Sequence, residues 1–154
     1  MTITEMVMHE IKLLNKGDLE GVCACYTNDA QMIDAAYPDE PAVGVDQIIE
    51  AMKAYFDGFK DLNVNVTRTT ANAEGTCLAA EFILTGIHVQ EYAGIPATGK
   101  KMNITAVSIY EYNGEKITKE VLPKEMQGNL DLEQILSDLP LSDYDYRPFF
   151  KAKG

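Results

Sequence analysis

The hydrophobic pattern changes period near Leu62, and that change limits what the chain can fold into. Upstream, apolar residues recur at helical spacing. They run Ile3, Met6, Val7, Ile11 and Leu14 in a first segment, then Leu19, Val22, Cys23 and Tyr26 in a second. A third segment from Val45 to Phe59 carries Ile48/Ile49, Met52, Phe56 and Phe59. Thr2 and Glu5 have capping-box spacing for the first helix, "NKGD" ends it, and Asp18 can cap the second. Downstream, "LNVNVTRTT", "TCLAAEFILTGIHV", "KMNITAVSIYEY" and "EKITKEVL" are rich in Val, Ile, Thr and Tyr and read as strands. "ANAEG" and the strong turn signal Asn113-Gly114 separate them, so an antiparallel meander is expected. The last strand should stop at Pro123, which cannot donate to a ladder. "AQMIDAAYPDEP" reads as a short strand entering a Pro-rich turn, and a short helix is expected from Asp131 to Leu139. The result is an α+β chain with three N-terminal helices on one face of a strongly curved antiparallel sheet. One domain spans residues 1–139, with a tail at 140–154.

Composition narrows the function classes. The 154 residues carry a net charge of −11 and no basic cluster beyond "GKK". Polyphosphate backbones and anionic membranes would be repelled, so neither nucleic acid nor membrane is an expected partner. No apolar run reaches bilayer length and the acidic "MTITEMVMHE" lacks a signal peptide's apolar centre, which points to the cytoplasm. Cys23, Cys25 and Cys77 read as free thiols, and the two histidines have no metal-ligand spacing, so no metal is expected.

"GIPATGK", Gly94 to Lys100, matches seven places of the phosphate-loop pattern GxxxxGK[ST], but Lys101 stands at the eighth. A phosphate loop needs a helix behind it, whose N-terminal amides face the phosphate. Here "MNITAVSIYEY" alternates as a strand, so the stretch reads as a hairpin loop shaped by Gly94, Pro96 and Gly99.

The same loop carries a family resemblance. "GIHVQEYAGIPATGKKMNITAVSIYEYNGEKI" resembles the hairpin of SnoaL-like polyketide cyclases, relatives of ketosteroid isomerase in the nuclear-transport-factor-like superfamily. Gly86, His88, Gly94, Ile95, Pro96, Thr98, Gly99 and Lys100 fill its pattern; Gln90 stands where glycine is commoner. "NKGDLEGVCACYTNDAQMID" is similar to the opening of the same superfamily. The resemblance covers roughly residues 5 to 136. It implies a cone-shaped sheet closed by the helices around an apolar cavity, no cofactor, and a homodimer formed through the sheet's outer face.

The resemblance also implies site residues. Asp34 matches the isomerase's general base, and Glu10 the position of its donor tyrosine. An ionised Glu accepts but cannot donate, so Glu10 would serve only when protonated. Ser108 matches both the isomerase's protonated aspartate and the cyclase's histidine. The cyclase's second carboxylate falls at Leu122, or at Val121 if the register shifts. Neither can transfer a proton, which speaks against that enzyme's aldol mechanism.

Alternation places Thr118, Glu120 and Leu122 on one strand face, and Met102, Ile104, Ala106, Ser108 and Tyr110 on another. Glu120 is expected to pair with Asp34 as carboxyls of unlike pKa, one acid and one base. His88 is a candidate proton carrier at the cavity mouth or a structural residue of the hairpin. Tyr26, Tyr55, Phe56 and Phe59 are expected to be core or cavity wall. The leading expectation is a cofactor-free cyclase or isomerase acting on a hydrophobic, carbonyl-containing small molecule, polyketide- or steroid-like. A non-catalytic binding or dimerisation module, and a hydrolase or hydratase using a carboxylate-activated water, are the alternatives.

Overall fold

Thr2 and Glu5 form the expected capping box. Thr2 Oγ1 accepts from the Glu5 amide at 3.1 Å, and Glu5 Oε1 from the Thr2 amide at 2.9 Å. They start α1 (Ile3–Asn15), which buries Ile3, Met6, Val7, Glu10 and Ile11. The computed structural model describes residues 1–34, 40–92 and 96–122, with Asp34, Ile104 and Leu122 described by backbone alone. Asp18 caps α2 (Leu19–Cys23) by accepting from the Gly21 amide at 2.9 Å. That helix is only five residues long and does not reach Tyr26 as its spacing predicts. The Cys25 carbonyl instead accepts from the Ile117 amide at 2.8 Å, and Tyr26 opens strand β1 (Tyr26–Asp34). Long-range strand pairing overrides the local helical pattern.

After β2 (Ala42–Val43), α3 runs from Val45 to Gly58 and buries Ile48 and Met52. Phe59, expected to end that helix, begins β3 (Phe59–Ala71) without a loop. β4 (Cys77–His88), β5 (Lys101–Tyr112) and β6 (Ile117–Leu122) follow. Asn72 Oδ1 accepts from the Thr76 and Cys77 amides between β3 and β4. Asn113 Oδ1 accepts from the Glu115 and Lys116 amides between β5 and β6, where Gly114 takes φ +99°. These short side-chain bonds replace the ladder in each turn. β6 is described up to Leu122, just before Pro123. The helix and tail expected beyond it lie outside the described residues.

The six strands form one sheet in the order β2-β1-β6-β5-β4-β3. The β3 to β6 meander is antiparallel as expected, but the sheet is mixed, because β1 pairs parallel to β6. The meander leaves β6 running in the direction of β1, so the N-terminal strand adds to that edge in parallel. β3 slips register against β4 at Lys60/Asn63 and at Val66/Arg68, with Asp61 at φ +54° in the first irregularity. Such bulges bend a strand and increase its twist. The curved sheet folds over α1 and α3, and a core of Val7, Ile11, Val22, Ile48, Leu78 and Ile117, among others, packs between them.

Of the loop "GIPATGK", Gly94 and Ile95, and with them the turn role expected of Gly94, lie outside the described residues; Pro96 to Lys100 lead into a strand and not into a helix. Gly99, at φ +68°, donates its amide to the His88 carbonyl at 2.8 Å, and the His88 amide donates to the Lys100 carbonyl at 3.0 Å. Lys101 is already the first residue of β5.

Candidate functional site

Helix α1 crosses the concave face of the sheet, and α3 lies beside it. Between them is a cavity of about 190 Å³. Its wall is apolar for most of its extent, including Met32 of β1, Met52 and Phe56 of α3, Phe82 of β4, and Met102 of β5. Asn15 fixes the end of α1 against β3: its side chain donates to the Val64 carbonyl at 2.9 Å and accepts from the Val64 amide at 2.7 Å. Of these wall residues, Met52 and Met102 lie on faces that the spacing marks, whereas Asn15 reads only as part of the helix-ending "NKGD" and Met32 only as part of a short strand.

Polar groups gather in one part of this wall. β5 and β6 pair Tyr110 with Glu120, and Ser108 stands two residues along β5 on the same face. Glu10 reaches them from α1, because the fourth position of its buried stripe faces the sheet. Glu10 is 0% exposed and Glu120 4%. Tyr26, 1% exposed, joins the two carboxyls from the start of β1. Its hydroxyl lies 2.7 Å from Glu120 Oε2 and 3.2 Å from Glu10 Oε1. One hydroxyl has one proton to donate, and the shorter contact marks Glu120 as its acceptor.

The same geometry sets where the carboxyl proton resides. Burial pushes Glu10 well above the ordinary value of 4.5, the Glu120 charge pushes it further, and the Tyr26 hydrogen bond opposes both. Glu120 is raised by burial but is held down by Tyr26, Tyr110 and Ser108. Tyr26 gives its one proton to Glu120, and Tyr110 and Ser108 stand beside the same carboxyl, so the charge is favoured on Glu120 and Glu10 keeps the proton. Tyr26 and Tyr110 are pushed well above 10 by burial and by the same two carboxylates, and stay neutral donors. Ser108 Oγ is close enough to favour the Glu120 charge, yet it completes no hydrogen bond with a described residue. Glu10 Oε2 is likewise without a partner among the described residues.

The remaining expected residues fall elsewhere. Tyr55 and Phe56 line the cavity from α3. Phe59 is absent from its described wall and stacks instead on His88, ring centroids 5.0 Å apart. His88 also stands off the cavity. Its Nδ1 lies 3.1 Å from Thr98 Oγ1, so the His and Thr of the hairpin motif bond each other across the base of the loop. Asp34 ends β1 two residues beyond the cavity-lining Met32, with its backbone paired to Leu122. The side chains of Asp34 and Leu122 lie outside the described residues. Among described side chains, Glu120's carboxyl neighbour is Glu10.

The sequence profile of the SnoaL-like polyketide cyclases matches residues 5–123. The chain belongs to that family. In structure it is similar to a proposed polyketide cyclase of Pseudomonas putida, at 21% identity over 89% of this chain and 97% of that one, with a TM-score of 0.72. A proposed polyketide cyclase of Xanthomonas campestris gives 18% identity over 88% and 94%, and a TM-score of 0.72. AclR, a proposed hydroxylase of Streptomyces galilaeus, gives 20% identity over 90% and 97%, and a TM-score of 0.69. No curated protein matches the chain. At such identities the likeness shows the fold, the curved α+β cone that the SnoaL-like loop motif implies. Proposed cyclases and a proposed hydroxylase share that fold, so the reaction must be argued from the site.

Proposed function

We propose that this SnoaL-like chain is a cofactor-independent acid/base enzyme of the isomerase or cyclase type, acting on a hydrophobic carbonyl compound. The observation that supports it is the Glu10–Tyr26–Glu120 array beside an apolar cavity. Proton transfer next to a carbonyl needs a base, a donor for the developing oxyanion, and exclusion of water. Glu120, ionised and lining the cavity, is the base. Glu10, protonated, donates to the carbonyl oxygen, and Ser108 or Tyr110 positions it. The two carboxyls then hold each other's former states: Glu120 has gained the substrate proton and Glu10 has lost its own. Tyr26 can reset them by taking the proton from Glu120 as it passes its own to Glu10. Asp34 remains a second candidate base at the end of β1, and His88 is assigned to holding the hairpin. Leu122, at the cyclase's carboxylate position, offers no proton, so the reading favours enolisation over an aldol step.

The test needs no knowledge of the natural substrate. Exchange of the α-protons of a small hydrophobic ketone, cyclohexanone, is followed by NMR in heavy water. The wild-type chain should accelerate exchange over buffer, and Glu120→Gln should reduce that acceleration by about 10²–10⁴-fold, the usual contribution of a general base. Exchange no faster than buffer, or an unaffected Glu120→Gln variant, refutes the assignment. Should Asp34→Asn alone abolish exchange, the base is Asp34.

A further inference from the structure

The polar part of the cavity has more acceptors than donors. Glu10 and Glu120 present four carboxyl oxygens with one proton between them, and the hydroxyls of Tyr26, Tyr110 and Ser108 supply three more protons but three more acceptor oxygens as well. Among the described residues no Lys, Arg or His lines the cavity. Two buried acceptors on residues of its wall have no partner among the described residues: Glu10 Oε2, on a residue that is 0% exposed, and Ser108 Oγ, on one that is 1% exposed. A carbonyl ligand accepts the one carboxyl proton and leaves the charge of Glu120 uncompensated. A carboxylate ligand adds repulsion. A primary ammonium adds three N–H donors and the missing positive charge, and a buried charge that is paired and hydrogen-bonded escapes most of its desolvation penalty. Met32, Met52, Phe56, Phe82 and Met102 offer an alkyl chain an apolar wall. The net charge of −11 raises the local concentration of cations around the whole molecule.

We propose that this end of the cavity binds a hydrophobic organic monocation, a primary alkylammonium whose nitrogen donates to Glu10 Oε2 and Ser108 Oγ while its chain lies on the apolar wall. The proposal goes beyond the acid/base reading and rests on the placement of the acceptors, whether or not the carboxyls move protons during turnover. The ammonium replaces the proton that the two carboxyls otherwise share. Its affinity therefore rises with pH as that proton becomes easier to displace, by up to about tenfold per unit.

α3, β3 and β4 add Tyr55 and apolar side chains to the cavity wall. The groups that bear on this exchange come from the other elements around the site. They are Glu10 on α1, Tyr26 on β1, Ser108 and Tyr110 on β5, and Glu120 on β6. Cys25, just before β1, is pushed up to about 11 by burial and then by the Glu10 charge, with Lys116 opposing. It stays a neutral thiol through the range in question.

The probes are n-butylammonium, 1-butanol and butyrate, which share a chain and differ in head group. Binding is measured by titration calorimetry at about pH 8, where an alkylamine of ordinary pKa near 10.4 is still charged. Butylammonium should bind about tenfold or more tightly than butanol, and butyrate more weakly than either. Glu10→Gln should abolish the preference for the ammonium while butanol still binds, which shows that the cavity persists. The proposal is overturned if butanol binds as tightly as the ammonium, if neither binds the wild-type chain, or if Glu10→Gln keeps the preference. Ammonium binding without ketone exchange removes the catalytic reading alone, and ketone exchange without ammonium preference removes this proposal alone.

Discussion

Glu10 occupies a place in α1 where the stripe Met6, Val7, Ile11 calls for an apolar side chain. A carboxyl there is stable only in its neutral form or beside donors, and the fold supplies both conditions in part. Because burial raises its pKa in the fold, the folded chain binds a proton that the unfolded chain releases near the ordinary value of 4.5. Stability is then greatest below that value, and it falls as pH rises from there through the raised pKa of the pair. Replacing Glu10 by Gln, which keeps shape and hydrogen-bonding capacity, should stabilise the fold at pH 7 by about 1–3 kcal/mol and flatten this slope. Urea unfolding at several pH values measures it; a variant with the wild-type slope would show that Glu10 carries no such burden. Glu10 falls between Val7 and Ile11 of the apolar stripe, so the spacing alone marks it as a polar residue where an apolar one is expected. Its partner was not legible in the sequence, because Glu120 lies far along the chain and meets it only after the sheet curves over α1. Local periodicity has no term for that closure.

At the scale of elements, strands were easier to read than the helix-to-strand borders. The stretch expected as a strand from Lys101 to Tyr112 is β5 as observed, since alternation and β-branched side chains agree there. Tyr26 shows the reverse. Its spacing from Val22 fits a helix, yet its backbone neighbour Cys25 bonds to Ile117 and its hydroxyl to Glu120. The hairpin between β4 and β5 was legible as a loop, and the structure adds why its His and Thr occur together. The His88–Thr98 bond and the Phe59 stack hold the ring outside the cavity. Thr98→Val keeps the shape and removes the hydroxyl. It should lower stability by about 1–2 kcal/mol in urea unfolding, since the hydroxyl bonds His88 and also accepts from the Lys100 amide at 3.3 Å. Butylammonium affinity and its pH dependence should stay unchanged. A shifted pH profile would instead connect His88 to the cavity's protons.

The whole molecule holds two features that cost stability: a cavity in its apolar layer and two carboxyls buried with one bridging tyrosine. Neither is needed to build a curved sheet over three helices, so each is a place where stability and ligand binding can be separated. Ala106 tests this, because it lines the cavity from β5, opposite Phe82 in the ladder, and is 7% exposed. Ala106→Leu adds carbon atoms to space that is already empty. Filling a cavity recovers about 24 cal/mol per Å³, whereas crowding a packed core costs about 1–3 kcal/mol. With some 190 Å³ available the first effect should win, and the variant should unfold at the same urea concentration as wild type or a higher one. The same side chain occupies the volume that an alkyl chain needs, so butylammonium and butanol should both weaken by about tenfold or more. Stability and binding would then move in opposite directions from one substitution. That pattern distinguishes a ligand cavity from ordinary core, where overpacking lowers stability and leaves nothing to bind. Retained binding in a stably folded Ala106→Leu variant would place the ligand elsewhere on the molecule.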